Sequence, residues 1–379
     1  MSTILPVHPQ PLPDEILSSW MTRLALENQF PLHTFYNKLL QFKGEIWNRD
    51  IDRFARPELF ALLEEHTHQP LHVPRALSLQ YYEGILFEEL REGGIAPWLI
   101  PLGVYHRLRK RAGIHYCPLC LAEDDVPYFR RRWRLAFYIA CGKHHCQMES
   151  GCSLCGSPIA YHRLGVGQPF EIKTHEISFC WACGSDFRLT KPKKLELPDI
   201  RVQSTLYDLL NCFDRVGWVP PIPSVHSSLS FFKGFNCLVK LIGRKKAQLK
   251  LINAAPSAPL PPNLGQHLEF EHSSLERRSK LLITALQLIQ DWPERFLALC
   301  RTTGITSSRI TENLGAEPFW FSNVLSLELS HPNTPITMEE AISIRRYLQK
   351  RGISPSRPNV RNLLNCSKRH ADRVLKALG

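Results

Sequence analysis

Eight cysteine and histidine side chains, set in four pairs of identical spacing, constrain this chain more than any other feature. The pairs are Cys117-Pro-Leu-Cys120, Cys141-Gly-Lys-His144, Cys152-Ser-Leu-Cys155 and Cys180-Trp-Ala-Cys183. Two donors separated by two residues let one tight turn aim both side chains at a single ion, and amides of that turn can donate to the thiolates. Glycine follows Cys141, Cys155 and Cys183, where backbone freedom suits such a turn. Sequential grouping makes two tetrahedral sites. Cys117, Cys120, Cys141 and His144 form one across twenty intervening residues; Cys152, Cys155, Cys180 and Cys183 form the other across twenty-four.

A set of three cysteines and one histidine at this spacing is typical of zinc, while the all-cysteine set leaves an iron–sulfur cluster as its alternative. Catalytic zinc keeps a position for water, whereas four protein donors close each site here, so the expectation is two structural zinc ions. His145 and Cys146 fall inside the densest stretch, CGKHHCQMESGCSLCG, and are left over as spares. The other cysteines, Cys212, Cys237, Cys300 and Cys366, lie in apolar helical stretches and read as packing residues.

The 379 residues carry 47 Lys and Arg against 35 Asp and Glu, a net charge of +12 that favours a polyanionic partner. Arg130, Arg131, Arg132 and Arg134 interleave with Phe129 and Trp133, and Arg107, Arg109, Lys110 and Arg111 precede them. Arginine with aromatics suits phosphate contact plus base stacking. The competing reading is a solvated basic face beside a metal module. The N-terminus lacks the basic and apolar regions of a secretory signal, and no apolar run approaches the ~18 residues of a membrane span. The expectation is a cytoplasmic, nucleoid-associated protein with no membrane partner, in which structural disulfides are disfavoured.

The chain reads as mainly α. A helical, helix-turn-helix-like N-terminal domain is expected over 1–105, beginning with a helix in PDEILSSWMTRLALENQ started by Pro13 and Asp14, with Ile16, Leu17, Trp20 and Leu24 on one apolar face. Further helices are expected in PLHTFYNKLLQF, ELFALLEEH and LQYYEGILFEELRE. Tandem zinc-ribbon modules with short strands follow over 106–195, then a helical segment over 196–253 and a proline-rich linker over 254–264. A helical C-terminal domain occupies 265–379. Its last helices form a helix-turn-helix candidate in which Lys368, Arg369 and Arg373 are DNA contacts, with Thr337 and Glu340 as a capping box upstream. ITSSRITENLGAEPFWFSNVLSLEL is a weaker, less charged candidate of the same kind. No P-loop, GxSxG, HExxH or dinucleotide fingerprint is present, and nothing groups the acidic residues into a nuclease site.

Pro13, Asp14, Glu15, Ser19, Trp20, Arg23, Leu24 and Ala25, followed by CPLC, CGKHHCQMESGCSLCG and CWACG, resemble the TniQ/TnsD family of transposon target-site selectors over about the first 190 residues. The resemblance implies a non-catalytic adaptor that recognises a target and recruits an AAA+ ATPase regulator, which passes the site to the transposase. TnsD-like members bind an attachment site in DNA directly. Members from CRISPR-associated transposons sit on an RNA-guided Cascade complex, often as a homodimer. A zinc-containing DNA-binding transcriptional regulator is the alternative reading of the same residues.

Overall fold

The structure, a computed structural model, describes residues 4–46, 49–91, 93–102, 104–105, 108–109, 113–164, 176–215, 217–243, 269–304, 307, 310, 317–329, 337–364 and 368–378. It is mainly helical, and it divides into two compact units. One comprises Met1–Thr303 with Ala316–Trp320, the other Gly304–Gly315 with Phe321–Gly379.

The first unit opens with α1 (Leu17–Glu27). Ile16, Leu17, Trp20 and Leu24 are fully buried, as their spacing predicts, but Ser18, Ser19, Thr22 and Arg23 are buried as well. The helix is therefore enclosed on all sides, and its polar groups need internal partners. Ser18 donates to Asp52 Oδ2 at 2.9 Å, and Ser19 donates to Glu15 Oε1 at 2.9 Å. Glu15 also accepts from Arg23 through Nε and Nη2, both at 2.9 Å.

Pro13 and Asp14 do not form the first helical turn. Asp14 has φ 57°, and Ile16 precedes the helix without a side-chain cap. This segment instead lies along residues 129–131. Ile16 N–H donates to Phe129 O at 3.0 Å and Arg131 N–H to Asp14 O at 2.7 Å. Pairing across more than a hundred residues has replaced local capping.

Short helical turns at Leu32–Thr34, Phe35–Leu39 and Ile51–Phe54 lead to α2 (Pro57–Thr67), which starts on a proline at its first position. The helix expected in LQYYEGILFEELRE shortens to one turn, Leu79–Tyr82. Gly84, at φ 75°, turns the chain so that its N–H reaches Phe87 O, and Leu86, Phe87 and Leu90 are buried from a loop. Two short antiparallel strands, β1 (Val104–Tyr105) and β2 (Leu108–Arg109), precede the metal-ligand region. That region contains α3 (Pro118–Glu123) and single bridge pairs, Tyr116 with Glu149, Ala140 with Gln147, Cys146 with Lys194 and Phe179 with Asp186.

Next come α4 (Ile200–Leu210), capped by Asp199, and α5 (Ser228–Gly243). The proline-rich linker lies outside the described residues. Then α6 (Leu275–Ile289) and α7 (Glu294–Thr303) pack in this first unit, although their place after the linker joins them to a C-terminal domain in the sequence. Two contacts explain the difference. Arg278 of α6 is buried and donates to Ala136 O at 2.9 Å, with Nη2 2.6 Å from His115 Nε2. Burial and the neighbouring Arg278 hold His115 well below the ordinary imidazole range, so the ring is neutral and accepts from arginine.

An aromatic core joins the pieces. Trp98 stacks on Phe235 with centroids 5.6 Å apart, meets Phe137 and Phe270 edge-on at 5.6 Å, and donates through Nε1 to Phe232 O at 3.1 Å. Gly234 of α5 must be glycine, because a Cβ there would collide with the Trp320 ring. Cys212, Cys237 and Cys300 are buried packing residues, as expected; Cys366 lies outside the described residues.

The second unit contains α8 (Met338–Lys350), α9 (Arg357–Leu364) and α10 (Lys368–Leu378). Thr337 and Glu340 form the expected capping box, at 3.2 and 2.8 Å. Ala341, Leu348, Val360, Ala371, Val374 and Leu378 make a small core. Arg357 of α9 pairs with Asp372 of α10 at 2.6 Å. Of the weaker helix-turn-helix candidate, Phe319–Val324 and Leu325–Leu329 are helical, while 305–306, 308–309 and 311–316 lie outside the described residues.

Removing one partner of a buried ion pair strands the other charge. Arg23→Met should therefore lower the stability of the first unit by about 3–5 kcal/mol. Arg49→Ala, which breaks the exposed pair with Glu45, should change it by less than about 1 kcal/mol. Urea unfolding of both variants checks the contrast.

Candidate metal centres and the basic residues around them

The first cluster forms where α3 meets the turn over 141–144. Cys117 precedes α3, and Cys120 lies one turn along it, so this pair sits on a helix start rather than in a knuckle. His144 Nδ1 lies 3.4 Å from Cys117 Sγ, 3.3 Å from Cys120 Sγ and 3.5 Å from Cys141 Sγ; Cys120 and Cys141 are 3.5 Å apart. In the second cluster, Cys152 and Cys183 are 3.6 Å apart and Cys155 and Cys180 are 3.7 Å apart. Zinc–sulfur bonds of ~2.3 Å give a tetrahedron with edges of about 3.8 Å, slightly shorter where nitrogen replaces sulfur. Within each cluster all four donor atoms lie within 4.8 Å of one another. Both donor sets fit zinc, in the grouping expected from spacing.

Three of the four pairs share one backbone device. Cys141, Cys152 and Cys180 each donate N–H to the carbonyl five residues on, at Cys146, Ser157 and Ser185, over 2.8–2.9 Å. Each accepts at its own carbonyl from the residue four on, His145, Gly156 or Gly184, at 2.9 Å. That fourth residue turns the chain with positive φ, 55° at His145, 70° at Gly156 and 72° at Gly184. His145 therefore stands where the other turns use glycine, and its ring stacks on Tyr207 at 3.9 Å. Gly142 serves a different need, since a Cβ there would run into the Asn211 side chain.

The fifth residue faces the donors. Ser185 Oγ lies 3.0 Å from Cys152 Sγ and 3.3 Å from Cys183 Sγ. Burial alone would raise Cys152, but the Ser185 hydroxyl brings it below the ordinary thiol range. A hydrogen bond from Ser157 is the main cause that lowers Cys155 to about 6. Cys146 occupies the same position in the first cluster, buried, with its sulfur 3.5 Å from Cys117 Sγ. It supports a ligand rather than duplicating one. His144 is also supported, with Nε2 2.9 Å from Glu123 Oε1.

The arginines assigned to a nucleic-acid surface are committed internally. Arg130 makes two bonds to Asp124, at 3.1 and 2.6 Å. Arg131 donates to Ala76 O, pairs with Asp14 at 3.3 Å and lies 3.6 Å over the Tyr81 ring. Arg132 reaches Asp14 at 2.5 Å and Asp214 at 2.7 and 2.6 Å. Arg134, 1% exposed, binds Asp50 and Asp52. Burial opposes the charge on Arg132 and Arg134, but these carboxylates outweigh it and hold both well above the usual arginine range. The aromatic interleaving is equally internal: Phe129 and Trp133 are fully buried. Arg131, Arg132 and Arg134 join distant parts of the fold, because each finds an acid or carbonyl that sequence distance conceals.

Arg107, Lys110 and Arg111 lie outside the described residues, as do the side chains of Arg109 and Arg369. Lys368 and Arg373 are exposed on α10. Sequence reading passes over Arg345, Arg346 and Lys350, all exposed on α8, though the run SIRRYLQKR could mark them.

Residues 6–148 match the sequence model of the TniQ family. Over those residues the chain is similar to a TniQ domain. The match takes in α1, the Arg130–Arg134 segment and the first metal cluster; the second cluster lies beyond it. A TniQ domain implies a role in transposon target-site selection, and the family is one of non-catalytic adaptors. No curated protein matches the chain. Among the described residues, no helix is long and apolar enough to cross a membrane.

Metal analysis should find two zinc ions per chain, falling to one for Cys117→Ser or Cys180→Ser and staying at two for Cys146→Ser. Glu123→Gln should weaken zinc at the first site about tenfold in chelator competition, with the second site unchanged.

Proposed function

We propose that the chain is a target-selection adaptor that contacts DNA through α9 and α10, and recruits an AAA+ ATPase regulator serving the transposase. The TniQ match is the observation that carries the adaptor role. The DNA contact is supported by a compact helical unit whose last helix exposes Lys368, Arg373 and Lys376, while its one acid, Asp372, is neutralised by Arg357. With the arginines at 130–134 engaged internally, the weight of DNA binding falls on this unit. The protein works in the cytoplasm, at the nucleoid, with two zinc ions holding the centre of its first unit.

Deleting the gene should abolish insertion at the preferred site while leaving the strand chemistry of the transposase intact. Gel shifts on insertion-site DNA should show salt-dependent binding. Replacing Lys368 and Arg373 together by Ala should reduce the salt slope by about 2, since each phosphate contact contributes ~0.9. Unchanged binding by that variant excludes the DNA contact. Stable association with an RNA-guided Cascade complex in place of specific DNA binding identifies the other targeting route. A specific operator with no ATPase requirement identifies a transcriptional regulator.

A further inference from the structure

The three metal-site turns differ chemically at one position. Ser157 and Ser185 place hydroxyls beside ligand sulfurs of the second cluster, and Cys146 places a thiol beside Cys117 of the first. Hydroxyl and thiol can both donate to a thiolate, but only the thiol can form a bond with it on oxidation. The Sγ atoms of Cys146 and Cys117 are already 3.5 Å apart. The backbone on the Cys146 side of the contact is fixed: Cys146 O accepts from Cys141 N–H at 2.8 Å, and Cys146 pairs with Lys194.

A cleft of about 520 Å³ lies alongside, lined by His145, Lys194, Leu195, Glu196, Gln203 and Tyr207. Two of these residues, His145 and Lys194, are the sequence neighbour and the bridge partner of Cys146. Cys146 keeps slight exposure beside this cleft, while Cys117 is fully buried behind it, so peroxide has to pass Cys146 to reach the contact.

We infer that Cys146 and Cys117 form a peroxide modification site, at which oxidation converts a metal ligand into a disulfide and opens the first cluster. This rests on the two-zinc reading of the clusters. The Cys117 thiolate attacks one oxygen of hydrogen peroxide; the O–O bond breaks, giving the Cys117 sulfenic acid and hydroxide. The Cys146 sulfur then attacks the sulfenic sulfur. An S–S bond forms, the S–OH bond breaks, and the Cys146 proton leaves with that hydroxyl as water. The two sulfurs together lose two electrons and the peroxide gains them, ending as one water and one hydroxide. Cys120, Cys141 and His144 are left as three donors, too few to close the site. The second cluster has no thiol at the equivalent positions and stays closed.

The test uses the full-length zinc-loaded protein, hydrogen peroxide as the probe, a chromogenic chelator to follow metal and peptide mass mapping to locate disulfides. The wild type should release one of its two ions, form a Cys117–Cys146 disulfide and rebind zinc after reduction by dithiothreitol. Cys146→Ser should bind two ions at the start and release the first at least about tenfold more slowly. Ser185→Cys, which places a thiol beside Cys152, should make the second ion peroxide-labile as well. Release from Cys146→Ser at the wild-type rate, or a disulfide mapped to another pair, overturns the inference. Failure to bind two ions before peroxide is added would overturn the two-zinc reading instead.

Discussion

Glu15 and Arg23, both almost completely removed from water, hold a charge pair that the first unit cannot lose without rearranging around it. Glu15 accepts from Leu12 N–H, Ser19 and Arg23, and Arg23 also reaches Gln10 O, so the pair gathers the segment before α1 and the helix itself into one network. The same segment continues through Asp14 to Arg131 and Arg132, and from Arg132 to Asp214. Arg134 extends it to Asp50 and Asp52, and Asp52 returns to α1 through Ser18. Such lattices are costly to desolvate and tolerate little loss, because each charge depends on the next. They specify one arrangement of the helical and metal-bearing parts.

The metal clusters act on a shorter scale. Residues 113–164 and 176–195 have few regular elements of their own, and single bridge pairs cannot by themselves offset the entropy of ordering so much loop. Coordination supplies that order locally, while Phe137, packed against Trp98 and Phe232, connects the result to the surrounding core.

Local features are legible in the sequence wherever the physics is local. The metal-ligand grouping, the capping box at Thr337 and the burial of Ile16, Leu17, Trp20 and Leu24 all follow from spacing. The failures share a cause. Asp14 reads as a helix-start residue because the residues it meets, at 131 and 132, are more than a hundred positions away. Arg132 and Arg134 read as surface because Asp214, Asp50 and Asp52 are each more than eighty positions off. LQYYEGILFEELRE has helical composition, yet Gly84 at positive φ ends the helix after one turn. Cys146 is redundant by spacing alone; only the shared turn shows it standing where serine stands elsewhere.

The lattice between α1 and the arginine segment has a consequence for how such domains are recognised. Asp14, Glu15, Ser19 and Arg23 belong to the pattern that marks the family resemblance, and every one of them is engaged in an internal joint. A signature of this kind records assembly, not cargo. In this chain the four residues are taken up by the joint, which leaves recognition to surfaces outside it.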